Sequence, residues 1–296
     1  MLKSLQKAFK VKEVRDRLLY TFMMLVVIRI GCCLPIPGVD PSYLHDFFSN
    51  LQNSGMGFFN AITGGSFSSM SIFALSITPY ITSSIIMQLL TIAIPKLEEM
   101  QKDGEDGRKK IAEYTRYLTV GLALFESCAM AVGLGGKGLL LEDHRNIWGY
   151  LTVVAAMTAG SALLMWIGER ITDNGVGNGI SIVLLINIVS GTPQDMMTLY
   201  ERFMAGRSVA VATVSGIIVL AIIVAIVVFV LVLNDAERRI PVQYSKKMQG
   251  RRMIGGQSTY IPLKVNTANV IPVIFASSIM SMPVMIAQFF HVDYST

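Results

Sequence analysis

The side chains that most often do chemistry are scarce in this sequence of 296 residues. Its three histidines, His45, His144 and His291, fall in polar stretches between apolar runs, without carboxylates at ligand spacing. A metal site or an acid–base centre needs such groups to converge, so neither is expected. The three cysteines, Cys32, Cys33 and Cys128, lie inside apolar runs with no C-x-x-C or zinc spacing. They read as small hydrophobes rather than as a disulfide or metal framework. The run Asn174-Gly175-Val176-Gly177-Asn178-Gly179 has the glycine content of a phosphate loop, but it lacks the Lys-Ser/Thr ending and a preceding strand. A tight turn, with Asn178 or Gly179 capping the next helix, is expected there. No catalytic residue, metal or cofactor is assigned, and no enzymatic activity is expected.

Charges in unusual places carry more information. Arg29 and Glu126 sit inside apolar runs, about 12 and 10 positions from the ends nearest the basic flanks. An intramembrane Arg costs roughly 2.5 to 3.5 kcal/mol on insertion scales. Equal depth permits a direct salt bridge, with snorkelling or separate cavities as the alternatives. The strongest surface feature is the basic loop 234–266, where Arg238, Arg239, Lys246, Lys247, Arg251 and Arg252 cluster. Ile240, Val242 and Tyr244 alternate along it as a hairpin strand would. Topogenic charge and attraction to anionic lipid would account for the loop. Its size and patterning favour docking of a large anionic partner, RNA phosphates or an acidic protein.

The elements that must position these residues are membrane helices. The chain is 52% hydrophobic and 15% charged, whereas a soluble domain carries roughly 25% charged residues. Its 25 Gly and 10 Pro follow no strict period, which excludes collagen, and the apolar content excludes disorder. A spanning helix needs about 20 mostly apolar residues. Seven runs qualify: 18–37, 72–94, 117–136, 148–168, 176–192, 209–233 and 267–290. The N-terminus is basic and leads into the first run, as a signal peptide would, but its charged stretch is 17 residues long and no small-residue cleavage site follows. The first run is therefore expected to be a retained span. With the N-terminus cytoplasmic, 20 Lys and Arg fall inside and four outside, which orients the chain by the positive-inside rule and leaves residue 296 extracytoplasmic.

Two departures from plain helices stand out. Residues 58–71 are too short and polar to cross, and are either an external loop helix or a half-inserted one. Pro79, early in the second run, precedes Thr82, Ser83, Ser84 and Gln88, so a broken backbone lies beside a polar stripe.

The motifs resemble one family, the SecY protein-translocation channels. They are Ile36-Pro37-Gly38-Val39-Asp40, Ser71-Ile72-Phe73-Ala74-Leu75 with Pro79-Tyr80-Ile81, and Gly107-Arg108-Lys109-Lys110 with Tyr114-Thr115-Arg116-Tyr117. Gly175-Val176-Gly177-Asn178-Gly179-Ile180-Ser181, Gln249-Gly250-Arg251-Arg252, Gln257-Ser258-Thr259, Pro262-Leu263-Lys264-Val265-Asn266 and the run from Val270 to Ser278 continue the match in family order. The resemblance implies an all-α polytopic membrane protein with seven transmembrane helices plus a short re-entrant plug helix, a partial SecY-like inverted-repeat bundle. Residues 1–192 would be the N-terminal half with spans 1 to 5 and plug 58–71. Residues 193–296 would be an incomplete C-terminal half, holding spans 6 and 7 and the basic loop. Family architecture has ten spans, so a fragment is expected.

By resemblance, Ile77, Ile81, Ile180, Leu184 and Ile274 form an aliphatic pore ring. Phe58, Asn60, Gly64, Gly65 and Ser68 belong to the plug. Thr82, Gln88, Asn266 and Asn269 line a lateral gate between spans 2 and 7. Arg108 and Lys109 join the six basic residues of the loop in partner docking. The implied function is the central pore-forming subunit of a bacterial plasma-membrane translocon, which passes unfolded polypeptides across and releases apolar segments into membrane lipid. The implied partners are the small subunits SecE and SecG, the SecA ATPase, the ribosome through its rRNA, signal peptides and nascent chains. The alternative is a secondary transporter with discontinuous helices, which should group ionisable residues on interrupted spans; the second run offers only hydroxyls and an amide.

Overall fold

The computed structural model describes residues 11–40, 63–135, 145–206, 208–242 and 259–267, with Gly138, Leu140, Leu141, the short segments 247–249 and 252–254, and four helical positions between 272 and 280. The chain forms two compact units, Met1–Pro193 with Phe275–Thr296, and Gln194–Ile274.

In the first unit the helices are α1 (Lys12–Cys33), α2 (Thr78–Ala93), α3 (Pro95–Lys102), α4 (Glu105–Leu134), α5 (Ile147–Asn174) and most of α6 (Gly179–Phe203). Pro95 ends α2 and opens α3, because a proline cannot donate into the preceding turn yet suits the first helical position. The chain bends there by 102°. Between α5 and α6 the glycine-rich run is a turn: the Ile180 N–H donates to Asn178 Oδ1 at 3.1 Å, so Asn178 is the cap. The Gly179 N–H donates to Thr172 Oγ1 at 2.9 Å and the Val176 N–H to Thr21 Oγ1 at 3.2 Å, which ties this turn to α5 and α1.

Three helices among the described residues are long and apolar enough to cross a membrane: α5, α6 and the Ala210–Asp235 part of the next helix; the bent pair α2–α3 would make a fourth. Helix α1 has 22 residues and α4 has 30, and both begin in charged sequence before entering the first and third apolar runs. Helix α6 continues through Pro193, beyond the expected end of the fifth run at residue 192. One missing N–H removes one rung of the ladder, and long membrane helices tolerate that. The seventh run lies almost wholly outside the described residues.

Two apolar cores hold the first unit together. One gathers Ile36, Phe67, Met70, Leu75, Met130 and Met157; the other gathers Ile28, Phe73, Ile77, Leu164, Ile171 and Val183. Residues 64–70, expected as part of a short helix, are instead a run of turns with Thr63, Ser66, Phe67 and Met70 buried. Polar backbone in such a place must find partners inside the protein. Within the segment the Ser69 N–H donates to the Gly65 carbonyl and the Ser71 N–H to the Ser66 carbonyl, both at 3.1 Å. At its exit the Ile36 N–H donates to the Met70 carbonyl and the Ile72 N–H to the Leu34 carbonyl, both at 3.0 Å.

Arg29 and Glu126 do not pair. The Arg29 guanidinium donates from Nη1 to Ser190 Oγ on α6 at 2.8 Å. Glu126 is buried on the face of α4 that also carries Ala123 and Met130, and its Oε2 has no hydrogen-bond partner. Equal depth along two helices did not bring them together because Arg29 faces α6. The ion pair that does join α4 to α5 is Arg116 Nε to Glu169 Oε1 at 2.8 Å. This hydrogen bond pushes the Arg116 guanidinium pKa up from its ordinary value.

In the second unit, α7 (Val209–Asp235) leads into a ribbon of β1 (Glu237–Val242), β2 (Lys247–Gln249), β3 (Arg252–Ile254) and β4 (Thr259–Lys264). β1 pairs antiparallel with β4, Glu237 opposite Lys264 and Val242 opposite Thr259, and β2 pairs with β3. In chain order the β2–β3 pair therefore falls between the two strands of the β1–β4 pair. The apolar stretch of α7 has a mean hydropathy of 3.6 and none of it is buried, as expected of a helix whose solvent is lipid.

Helix packing in the first unit depends on small residues. A Cβ on Gly160 of α5 would fall on the Ile72 carbonyl oxygen. The neighbour is backbone and cannot swing aside, so Gly160→Ala should destabilise the purified protein by about 1 to 3 kcal/mol, the usual cost of overpacking. Gly121 of α4 has open space at the same atom, and Gly121→Ala should stay within about 1 kcal/mol of the parent. Thermal unfolding in detergent, read on both variants, checks the contrast; equal losses would mean that this helix contact is not close.

Candidate functional site

Four of the five residues expected in the pore ring meet in one place. Ile77 caps α2 and Ile81 follows one turn later; Ile180 and Leu184 are likewise one turn apart on α6. Ile180 and Ile77 come together behind Gly168 of α5, where an ideal Cβ would lie 3.3 Å from Ile180 Cγ1 and 3.5 Å from Ile77 Cδ1. All four belong to the apolar cluster of Phe73, Leu164 and Ile167. Ile77 is buried, while Ile81, Ile180 and Leu184 keep part of their surface free. Ile274 lies outside the described residues. Branched hydrocarbon offers water no hydrogen bond, so a constriction lined this way dewets and resists ions.

The candidate plug lies next to this cluster. Phe58 and Asn60 are outside the described residues. Gly64, with φ +65°, rests against Asn187 and Ser190 of α6, and a Cβ there would be 2.6 Å from the Asn187 carbonyl oxygen and 2.8 Å from Ser190 Oγ. Ser68 Oγ donates back to the Gly65 carbonyl at 2.9 Å, closing the tight turn.

The reading of motifs missed a buried polar network beside these residues. Asn187 Nδ2 donates to Ser76 Oγ at 3.0 Å, Ser161 Oγ donates to the Ser76 carbonyl at 3.0 Å, and Ser190 Oγ donates to the Asn187 carbonyl at 2.6 Å. Arg29 closes it through Ser190. A guanidinium hydrogen bond of about 1.5 to 3 kcal/mol is comparable to the roughly 2.5 to 3.5 kcal/mol cost of placing Arg at membrane depth. The signal was present in the sequence, since Asn187 is the one amide inside the run 179–192, but nothing in the spacing named its partners.

The expected gate residues are found in different settings. Thr82 is buried with its Oγ1 unpartnered, Gln88 is exposed, Asn266 follows β4 and makes a polar contact, and Asn269 lies outside the described residues. The docking residues are on the surface where they are described. Arg108 and Lys109 are exposed in the first turns of α4, and Arg238 and Arg239 are exposed on β1, with Arg239 over the Tyr260 ring at 4.8 Å. Lys247 and Arg252 lie on the paired strands β2 and β3, whereas Lys246 and Arg251 lie outside the described residues. Among the described residues no group of three or more His, Cys, Asp or Glu gathers as a metal site.

Comparison with known proteins points the same way as the geometry. The SecY family model matches residues 71–296. The protein translocase subunit SecY of Streptomyces scabiei is 46% identical over 301 residues, covering 98% of this chain and 68% of its own length. Two solved structures share the fold. One is described as the plug domain of SecY stabilising the closed state of the translocation channel, with a TM-score of 0.56, 19% identity, and coverage of 94% of this chain and 58% of its own. The other is Sec61 in the canine ribosome–channel complex, with a TM-score of 0.54, 20% identity, and coverage of 94% and 59%. This chain thus spans about two thirds of the translocase relative and less of the solved channels. A family model matching residues 71–296, together with a translocase subunit 46% identical over 98% of the sequence, makes this chain a member of the SecY family of protein translocase subunits.

Proposed function

We infer that this chain supplies part of the wall of a membrane channel for unfolded polypeptide, with Ile77, Ile81, Ile180 and Leu184 on the constriction and the 58–71 segment as its plug. The observation that carries this reading is that Ile77, Ile81, Ile180 and Leu184 share one apolar cluster, with Ile77 and Ile180 meeting behind Gly168, beside the buried turns of 64–70. A seal of this kind has no bonds of its own to break when a chain slides through, because hydrocarbon only excludes water. Ile274 would extend the ring, and seven spans in all would complete this part of the bundle, with the N-terminus cytoplasmic in a bacterial plasma membrane. Thr82, Gln88, Asn266 and Asn269 are the polar residues proposed for a lateral exit into lipid. Interhelical polar contacts in membranes average about 0.6 kcal/mol, weak enough for an apolar segment to part them. SecE and SecG are the proposed small subunits.

The ribbon β1–β4 would be the docking element for cytoplasmic machinery, a ribosome or the SecA ATPase. Its support is the exposed pair Arg238 and Arg239 on a ribbon that also carries Lys247 and Arg252, together with the ribosome-bound state of the canine relative. Arg108 and Lys109 are proposed as further docking residues. Arg238→Glu with Arg239→Glu should weaken ribosome or SecA binding at least ten-fold and lower the slope of affinity against salt, since two phosphate or carboxylate contacts are lost. Binding titrations at three salt concentrations check this; unchanged affinity for both partners would remove the ribbon from the docking surface.

The seal is tested by conductance. In the complete channel reconstituted in a planar bilayer, Ile81→Ser with Leu184→Ser should let water persist at the constriction, and deletion of residues 64–69 should remove the second barrier. Small-ion current should rise most when both changes are present. A doubly altered channel that folds and stays tight would take these side chains off the pore.

A further inference from the structure

Both ends of the re-entrant stretch rest on one residue of α6. At its start Gly64 lies against the Asn187 Cα and carbonyl oxygen, where a Cβ would come within 2.9 Å and 2.6 Å. At its exit Ser76, held at φ +54°, takes a hydrogen bond from Asn187 Nδ2 at 3.0 Å. A non-glycine residue rarely adopts that backbone conformation without an external constraint, and the constraint here comes from two helices, because Ser161 of α5 holds the Ser76 carbonyl as well. One turn along α6, Ser190 Oγ also borders Gly64 at 2.8 Å from the same ideal Cβ. It donates to the Asn187 carbonyl at 2.6 Å and accepts from Arg29 Nη1 of α1 at 2.8 Å.

We propose that Asn187, Ser190 and Arg29 form a polar clasp that seats the 64–76 stretch and sets how readily it leaves its place. The contacts are continuous from α1 through α6 to both ends of the stretch. A shift of α1 against α6 that breaks the guanidinium bond would therefore loosen the surface on which Gly64 sits. The clasp is also incomplete: Asn187 Oδ1 is buried without a hydrogen-bond partner, as is Ser66 Oγ within the stretch. Unsatisfied buried polar groups raise the free energy of the seated state, so the polar contacts hold the stretch less firmly than a saturated network would. These three are positioning residues, and their functional meaning rests on the reading of 58–71 as a plug.

Hydrogen exchange over 63–76 in the complete channel in lipid nanodiscs tests the clasp. Asn187→Ala and Ser190→Ala should each speed exchange of these amides about ten-fold, with α5 exchange unchanged. Arg29→Met should do the same, Arg29→Lys should restore most of the protection, and Ser190→Ala added to Arg29→Met should bring little more, because the two residues share one bond. Ser190→Ala removes a single oxygen and keeps the fold even if Asn187→Ala does not. Unchanged exchange over 63–76 in the folded variants, or a rise spread evenly over all helices, overturns the clasp. Ion leak measured on the same preparations separates the two ideas: faster local exchange without leak upholds the clasp and overturns the plug reading.

Discussion

A bilayer offers the backbone no hydrogen-bond partners, and in the first unit of this protein everything irregular is arranged around that constraint. Helices satisfy it on their own. The stretch between α1 and α2 cannot, because residues 64–77 are turns. Its N–H and carbonyl groups bond to one another, to Leu34 and Ile36 after α1, and to the Ser161 hydroxyl on α5, while Asn187 on α6 donates to its Ser76 hydroxyl. Loss of helical self-sufficiency makes the segment dependent on its neighbours, because its position decides which of its polar groups are satisfied.

The division of labour between apolar and polar side chains follows from the same constraint. The candidate constriction is made from Ile77, Ile81, Ile180 and Leu184, which form no directional bonds. It can reshape around whatever passes and close again by excluding water. The residues that hold the re-entrant stretch, Arg29, Ser76, Asn187 and Ser190, are polar and bond at defined distances. Position is specified by bonds that are either made or broken, while sealing is left to contacts that depend only on area.

Much of the helical scaffold was legible from hydropathy, because a run such as 209–233 with no charge has one low-energy solution in lipid. Helix ends were less so. Helix α4 begins at Glu105, well before the apolar run at 117, since charged residues lengthen a helix beyond the membrane without any change in hydropathy to mark it. The turn at 174–179 and its Asn178 cap were readable because capping depends on local chemistry. The hairpin was readable in β1 from the alternation of Ile240 and Val242, whereas the register against β4 was not, being set by pairing between residues as far apart as Glu237 and Lys264.

Arg29 and Glu126 mark the limit of one-dimensional reasoning. Depth along a helix can be counted from sequence, but azimuth relative to neighbouring helices depends on which faces pack. Arg29 turns to α6, where a serine hydroxyl rather than a carboxylate receives it. A salt bridge would have joined α1 to α4 by a strong, nearly permanent bond at membrane depth. A guanidinium on a neutral hydroxyl is weaker, and it sits beside a segment that lacks helical hydrogen bonding of its own. The charge is kept where a reversible contact is useful, and Glu126, buried on the opposite core without a partner for Oε2, is left out of that contact altogether.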